Sequence, residues 1–125
     1  MLALVVDDSK IVRKVTRNML EPMGYTVAEA EDGVKAVEFC QGQMPQLIMM
    51  DHNMPEMMGL DAVIAIRAMA GGDAPQIVMC TTMNDMEFIQ NAIMGGANEF
   101  IMKPFDAEIL QTKLEQLGIL PGQAS

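Results

Sequence analysis

Five short apolar segments, separated by longer amphipathic stretches, constrain the fold of this chain more than any other feature. The segments cover residues 2–6, 25–30, 47–50, 77–80 and 100–102. Continuous apolar segments of this length are typical of strands that are buried on both faces of a parallel sheet. The second segment instead alternates between apolar and polar residues, such as Val27 and Glu29, which favours a strand at the edge of the sheet.

The stretches between these strands carry the spacing and the end signals of helices. In the first stretch, Ile11, Val15 and Met19 repeat at the spacing of one helical face. We predict that this helix ends near Pro22 and Gly24, and that the third helix covers about residues 60–69. Further signals are N-caps at Ser9, Asp32 and Asp106 and a capping box formed by Asn84 and Glu87.

Strands and helices therefore alternate five times along the chain. Such alternation predicts an α/β domain with a doubly wound parallel sheet and helices on both of its faces. We assign residues 1–120 to this domain and expect residues 121–125 to form a flexible tail. Cys40 and Cys80 fall in a predicted helix and a predicted strand, so we expect both to be buried apolar residues and not metal ligands.

The composition argues against several classes of partner. With 8 basic and 17 acidic residues the formal net charge is −9, which disfavours binding to nucleic acid because phosphates require cations. No apolar run reaches the length of about 18 residues that a membrane span needs. Met1 leads directly into an apolar segment without a basic region or a cleavage site, so we expect a cytoplasmic protein. We also expect the protein to be a monomer.

Polar residues follow four of the five predicted strands directly. Asp7 and Asp8 come after the first strand, Asp51 after the third, Thr81 after the fourth and Lys103 after the fifth. In an open α/β sheet the ligand site lies at the carboxyl ends of the strands. We therefore expect three carboxylates, a hydroxyl and an ammonium group to meet at one edge of the sheet.

The chemistry of this set points to phosphoryl transfer. Three neighbouring carboxylates repel each other unless a cation lies among them, and an all-oxygen site of this kind suits Mg²⁺. The carboxylate of Asp51 can act as a nucleophile, while Lys103 and Thr81 can bind oxygens of the incoming group. Phosphoryl transfer depends mostly on positioning and charge stabilisation, and these residues supply both.

Four stretches of the sequence resemble the receiver domain of two-component response regulators. They are residues 5–9 (VVDDS) with Arg13, residues 50–55 (MDHNMP) with Gly59, residues 80–82 (CTT) and residues 103–105 (KPF). The resemblance extends over nearly the whole chain. It implies a flavodoxin-like (βα)5 fold, with a five-stranded parallel sheet in the strand order 2-1-3-4-5.

The resemblance also implies a role for each site residue. Asp51 is the phosphoacceptor, and its phosphoryl group comes from the phosphohistidine of a histidine kinase. Asp8 binds Mg²⁺ directly, Asp7 binds it through water, and the backbone carbonyl of Asn53 is a further ligand. Lys103 and Thr81 hold the phosphoryl group, and the protein catalyses its own phosphorylation and dephosphorylation without being an enzyme in the usual sense.

The same resemblance implies how the signal is read. Thr81 moves toward the phosphoryl group, and Phe100 then swings inward beneath the fourth helix. The changed surface, formed by the fourth helix, the fifth strand and the fifth helix, binds a target protein, and Met94 and Asn98 lie near it. The resemblance further implies a cis peptide bond between Lys103 and Pro104.

Three other classes of protein fit the sequence less well than a phosphorylated receiver. Hydrolases with an aspartyl nucleophile place a second Asp two residues later as the general acid, but Asn53 stands there. A flavin carrier would need a Gly- and hydroxyl-rich phosphate loop where this chain has Asp7 and Asp8. A receiver that is never phosphorylated would not need the complete set of site residues. Two roles stay open: binding to a target, as chemotaxis-type single receivers do at a flagellar motor, which Arg13 favours, or passing the phosphoryl group to a histidine phosphotransfer protein.

Overall fold

A parallel sheet of five strands, covered on both faces by helices, forms the centre of the protein. The computed structural model describes residues 1–52, 57–82 and 86–121, without the side chains of residues 86–89. The elements are β1 (Leu2–Val6), α1 (Lys10–Leu20), a 3₁₀ turn (Glu21–Met23), β2 (Thr26–Ala30), α2 (Gly33–Gly42), β3 (Leu47–Asp51), α3 (Gly59–Arg67), β4 (Gln76–Thr81), α4 (Met86–Met94), β5 (Glu99–Met102) and α5 (Ala107–Leu117).

The strand order is β2-β1-β3-β4-β5, and every neighbouring pair is parallel. This confirms the predicted doubly wound fold and the position of β2 at an edge. β3 and β4 extend one residue beyond the apolar segments because Asp51 pairs with Cys80 and Thr81 pairs with Met102. β2 begins one residue later than predicted, since Tyr25 packs into the core and its hydroxyl donates to the Ile119 carbonyl.

The two faces of the sheet carry separate apolar cores. One core lies under α2, α3 and α4, and includes Ile48, Met50 and Met79. The other lies under α1 and α5, and includes Leu47, Met49 and Val78. Neighbouring strand residues therefore alternate between the two cores, as the pleat of a strand requires. Methionines occupy fully buried positions in both cores, so part of the high methionine content fills the interior.

The structure confirms three of the predicted helix caps. The side-chain oxygens of Ser9, Asp32 and Asp106 accept hydrogen bonds from the third residue beyond each, at 3.3, 2.8 and 2.8 Å. The predicted capping box at residues 84–87 lies outside the described side chains. Cys40 and Cys80 are buried thiols without a disulfide, as expected. Among the helices that the structure describes, none has both the length and the apolarity needed to cross a membrane.

The third helix ends earlier than the sequence predicts. It stops at Arg67, and the chain turns because the Met69 amide donates to the Ile66 carbonyl, three residues back. Gly72 is needed in this turn, since a Cβ atom there would overlap the Ile66 carbonyl oxygen. The apolar residues around position 69 therefore belong to a tight turn that packs on the core and not to a further turn of α3.

Arg67 and Asn98 stabilise the amino edge of the sheet, opposite to the predicted site. The Arg67 guanidinium donates to the carbonyls of Gly72, Pro75 and Gly96 at 2.8–2.9 Å and to the Asn98 amide oxygen at 2.7 Å. The same oxygen accepts from the Ile77 amide at 2.7 Å. Asn98 was predicted near the partner surface, and although it is exposed, its amide oxygen serves this network.

We expect Asn98→Ala to destabilise the fold. The substitution leaves the Ile77 amide and one arm of Arg67 without their acceptor, which costs about 2 kcal/mol in the free energy of unfolding. Urea unfolding monitored by far-ultraviolet circular dichroism measures this quantity. The exposed Asn91 on α4 provides the control, because Asn91→Ala should change stability by less than about 0.5 kcal/mol. Equal stability of the two variants would contradict the structural role of Asn98.

Candidate functional site

The strand register brings the predicted site residues level with one another at the carboxyl edge of the sheet. Asp51 and Thr81 are the last residues of β3 and β4. Asp7 continues β1 by one residue, since its amide donates to the Ala30 carbonyl at 3.1 Å. Lys103 continues β5 in the same way, with its amide on the Thr81 carbonyl at 2.8 Å. The parallel ladder therefore assembles the site from residues that are up to 96 positions apart.

Lys103 connects two of the three acids directly. Its Nζ atom lies 2.8 Å from Oδ2 of Asp7 and 2.8 Å from Oδ1 of Asp51. Both carboxylates are buried, whereas the Lys103 side chain keeps 21% of its surface exposed. Hydrogen bonds between an ammonium group and carboxylates are among the strong ones in proteins. The lysine thus lies where it can partly neutralise the acids and still meet a ligand from solvent.

The three carboxylates form a compact group of oxygen ligands. Asp7, Asp8 and Asp51 each offer one oxygen, and these oxygens all lie within 4.8 Å of one another. Asp7 and Asp51 are buried, but Asp8 is exposed at the rim. Carboxylate oxygens with a solvent-facing side suit a hard divalent cation that keeps several of its water molecules. Asn53, the fourth predicted ligand, lies outside the described residues.

The pKa of Asp51 reflects its burial and the charges of its neighbours. Burial raises this pKa above its ordinary value, and the charges of Asp7 and Asp8 add to the effect, while Lys103 opposes it. Burial is the largest of these effects, so Lys103 does not bring the pKa of Asp51 back to its ordinary value. Burial lowers the pKa of Lys103, but its hydrogen bonds to Asp51 and Asp7 outweigh burial, so this pKa lies above its ordinary value. The metal-free site therefore holds an excess of negative charge.

Two glycines shape the loop that follows Asp51. The Gly59 amide donates to the His52 carbonyl at 2.9 Å, and a Cβ atom on Gly59 would overlap the Asp51 carbonyl oxygen. A Cβ atom on Gly33, in the first turn of α2, would collide with Met57. Met57 packs against the core under α2, α3 and α4, so contacts hold the described residues 57–59 in place. Gly59 was part of the predicted motif, and its role is close packing.

The alternation along the strands places Thr81 and Phe100 on the face of the sheet opposite to that of Asp7 and Asp51. Thr81 is 2% exposed, and Phe100 packs against the core under α2, α3 and α4. The Lys113 ammonium lies 5.8 Å from the centre of the Phe100 ring. The ring is partly buried. The inward movement of Phe100 on phosphorylation stays a prediction. The Lys103–Pro104 peptide bond is cis, which confirms that prediction.

One contact at the site was not anticipated. The sequence motif includes Arg13 but does not predict its contacts. Its Nη1 atom donates to the Asp7 carbonyl at 2.7 Å, and its Nε atom pairs with Glu29 at 2.9 Å. The sequence signal for this contact is a cation placed six residues after Asp7, on the first turns of a capped helix. Glu29, in the edge strand, carries no comparable signal.

Comparison with known proteins agrees with this geometry. The family model described as response regulator receiver domain matches residues 3–115. The chemotaxis protein CheY1 of Helicobacter pylori is 40% identical over 117 residues, which cover 92% of this chain and 94% of the relative. Among solved structures, the chemotaxis response regulator CheY4 of Vibrio cholerae has a TM-score of 0.88 at 34% identity, covering 93% of this chain and 97% of that chain.

A further neighbour is the receiver domain of the sensor histidine kinase PA1611 from Pseudomonas aeruginosa, solved with a magnesium ion coordinated in its active-site cleft. It has a TM-score of 0.84 at 30% identity and covers 92% of this chain and 94% of that chain. The fold, the edge-sited acids and the family match together identify the chain as a member of the response regulator receiver family, similar to CheY.

We expect Asp51→Asn to stabilise the metal-free protein at pH 7. The neutral amide removes one of three crowded carboxylates, which should raise the free energy of unfolding by about 1 kcal/mol and Tm by roughly 4 °C. Thermal unfolding in the presence of EDTA measures the difference. The exposed Asp61 on α3 supplies the control, since Asp61→Asn removes the same charge away from the site.

The pH dependence tests the cause. Because the pKa of Asp51 is raised in the folded state, its charged form costs stability above the ordinary carboxyl pKa. As the pH falls through the raised pKa, the folded wild type takes up a proton and this cost disappears. The difference between wild type and Asp51→Asn should therefore shrink on acidification. If Asp51→Asn is less stable than the wild type at pH 7, the attraction between Asp51 and Lys103 outweighs the cost of burial and of repulsion.

Proposed function

We propose that this protein is a receiver that accepts a phosphoryl group on Asp51, with Mg²⁺ bound by the acidic group, and thereby changes its affinity for a target protein. It acts on itself as a monomer and is not an enzyme for an external substrate. The donor is the phosphohistidine of a histidine kinase. The bridge that Lys103 makes between Asp7 and Asp51 is the observation that carries this proposal.

The Lys103 bridge supports a transfer site more than a structural ion pair. A lysine held at 2.8 Å from the Asp51 carboxylate lies within hydrogen-bonding reach of an oxygen of a group bound to that carboxylate. Its side chain is partly exposed, so it can exchange a carboxylate partner for a phosphoryl oxygen without crossing the core. A buried structural pair would gain nothing from crowding two further acids beside it, because those acids raise the cost of the charged state.

The donor set also fits Mg²⁺. Asp7, Asp8 and Asp51 supply only oxygen ligands, and the described part of the site places them within reach of one ion. Asp8 is the candidate for a direct ligand. Asp7 would bind through water, because its two oxygens already accept from the Ser9 amide and from Lys103. The ion would neutralise charge on the acids and on the transferred group. The PA1611 receiver domain, solved with magnesium in its cleft, supports this assignment by similarity.

The residues of the chain divide the transfer between them. An oxygen of Asp51 attacks the phosphorus, and the bond between phosphorus and the donor nitrogen breaks as the leaving imidazole is protonated. Lys103 stabilises the charge on one phosphoryl oxygen, and the hydroxyl of Thr81 donates to another. These groups act mainly through position and charge, which is what phosphoryl transfer requires. In dephosphorylation, water attacks the phosphorus, the bond between phosphorus and the Asp51 oxygen breaks, and inorganic phosphate leaves.

We expect Mg²⁺-dependent phosphorylation of Asp51 by a small acyl phosphate or phosphoramidate. Intact-protein mass spectrometry should show the gain of a single phosphoryl group with Mg²⁺ and none with EDTA. Asp51→Asn should abolish the gain because the nucleophile is missing, while the control Asp61→Asn should react like the wild type. Persistent labelling of Asp51→Asn would mean that another residue is the acceptor, and labelling in EDTA would contradict the role of the metal.

The readout of the signal follows from the two faces of the sheet. When Thr81 moves toward the phosphoryl group, it leaves space on the face that also carries Phe100. The ring can fill that space by leaving the Lys113 ammonium, which changes the surface formed by α4, β5 and α5. That surface exposes apolar side chains, with 85% of Met94 and 50% of Ile109 accessible. A target protein that covers them gains apolar burial in only one of the two states.

We expect a stable phosphoryl mimic, beryllium trifluoride with Mg²⁺, to change the rotamers of Thr81 and Phe100. Crystal structures with and without the mimic measure this. Phe105, which packs on the opposite face of the sheet, should keep its rotamer and serves as the internal control. The associated gain in target affinity should be about 5–150-fold, the usual range for allosteric coupling. If both residues stay in place while affinity still changes, the switch uses another route.

Similarity to chemotaxis proteins favours target binding over a role in a phosphorelay. The two roles differ in what happens to the phosphoryl group. A pull-down that compares the phosphorylated and unphosphorylated protein should capture a target preferentially with the phosphorylated form. Transfer of the label from Asp51 to a histidine phosphotransfer protein would instead establish the relay.

A further inference from the structure

Arg13 lies directly behind the acidic group, on the first turns of α1. Its guanidinium is held from two sides: Nη1 donates to the Asp7 carbonyl at 2.7 Å, and Nε donates to Oε1 of Glu29 at 2.9 Å. Only 14% of its side chain is exposed. The planar guanidinium group is pre-organised for several hydrogen bonds, so it loses little entropy when it binds both acceptors. Arg13 is therefore a rigid donor and not a mobile surface cation.

Glu29 anchors this arrangement in the sheet. It belongs to the edge strand β2, and its second oxygen pairs with Nη2 of Arg17 at 2.9 Å. The same Arg17 nitrogen donates to the Val27 carbonyl at 3.1 Å. Two arginines of α1 thus bind one carboxylate of β2. Of these two arginines, Arg13 contacts the backbone of the acidic group, whereas the hydrogen bonds of Arg17 go to β2.

The Asp7 backbone and side chain are fixed at several points. Its amide donates to Ala30, its Oδ1 atom accepts from the Ser9 amide at 2.9 Å, and its Oδ2 atom binds Lys103. The carbonyl bound by Arg13 shares one planar peptide unit with the amide of Asp8. Fixing the direction of that carbonyl therefore fixes the orientation of the Asp8 amide, which narrows the directions in which the exposed Asp8 carboxylate can project.

We propose that Arg13 is a positioning residue of the metal site, which aims the carboxylates of Asp7 and Asp8 by holding the Asp7 carbonyl against the Glu29 anchor. The inference rests on the proposed function, because it assigns Arg13 to the Mg²⁺ site described there. Groups that orient metal ligands without touching the metal commonly contribute 10–100-fold to metal affinity. Arg13 does so through the backbone.

Electrostatics alone predicts the opposite effect. Arg13 is a cation close to a site for another cation, so removing its charge should strengthen Mg²⁺ binding through weaker repulsion. Loss of a positioning contact should weaken it, because Asp8 is then free to sample directions that do not meet the ion. The sign of the change in Mg²⁺ affinity therefore separates a positioning role from a simple charge effect.

The test compares Arg13→Gln with Arg17→Gln by titrating Mg²⁺ into the metal-free full chain in a calorimeter. Both variants remove one positive charge and one ion pair with Glu29, but Arg13 is the one whose guanidinium binds the Asp7 carbonyl. We expect Arg13→Gln to raise the Mg²⁺ dissociation constant about tenfold. Arg17→Gln should keep the wild-type value. Thermal unfolding of both variants reports any shared loss of stability.

A second measurement uses phosphorylation by a small phosphodonor. For Arg13→Gln, the Mg²⁺ concentration that gives half the maximal rate should rise about tenfold, while the rate at saturating Mg²⁺ stays near that of the wild type. A general loss of structure would lower the rate at every concentration. If Arg13→Gln does not fold, Arg13→Lys keeps the charge, and the same weakening is expected because lysine lacks the planar fork that holds two acceptors.

The outcomes separate this inference from the proposed function. If the wild type binds Mg²⁺ and Arg13→Gln binds it equally well or more tightly, the positioning role is wrong and the proposed function stands. If Arg17→Gln weakens binding as much as Arg13→Gln, the effect belongs to Glu29 and the α1–β2 contact, which also overturns the inference. If the wild type itself binds no Mg²⁺, the proposed function fails, and the metal-site role of Arg13 fails with it.

Discussion

The burial of carboxylates beside one another at one edge of the sheet is the constraint on which the rest of the site depends. Asp7 and Asp51 are buried, so solvent disperses little of their charge, and the exposed Asp8 lies beside them. Lys103 offsets part of this charge through two hydrogen bonds, yet the pKa of Asp51 stays above its ordinary value. Buried carboxylates with a raised pKa and a nearby lysine are a common property of functional sites.

The fold supplies the rigidity that keeps the acids together. Each strand is hydrogen-bonded along its length, and the two cores on the sheet faces contain fully buried Leu, Ile and Met side chains. The opposite edge of the sheet is closed by Arg67 and Asn98, which use neutral carbonyls and an amide as acceptors and carry no comparable excess of charge. Stability and chemistry therefore lie at different ends of the same strands, and a substitution at one end need not disturb the other.

Much of this arrangement was predictable from the sequence. The doubly wound parallel sheet, three helix caps and the positions of Asp7, Asp51 and Lys103 follow from short apolar segments and from the residues that end them, because those signals are local. The strand order follows only from the resemblance to the receiver family. Contacts that depend on tertiary packing were not predictable. The turn after Arg67 replaces the expected last turn of α3, and Asn98 accepts from Ile77 across a strand pair. The Glu29 anchor for Arg13 joins an edge strand to α1, and no periodicity in the sequence marks such a pair.

The period of two along a strand divides the work of the protein between the faces of its sheet. Asp51 continues the row of Met49, on the face covered by α1 and α5, while Thr81 continues the row of Met79, on the face covered by α2, α3 and α4. Phe100 lies on that second face. The acids and Lys103 can thus carry the chemistry on one side while Thr81 reports it to the other, although both begin at the same edge. Because the two rows are one residue out of phase, a residue inserted within β4 would move Thr81 to the other face and separate it from Phe100, while Asp7, Asp51 and Lys103 would keep their positions on their own strands.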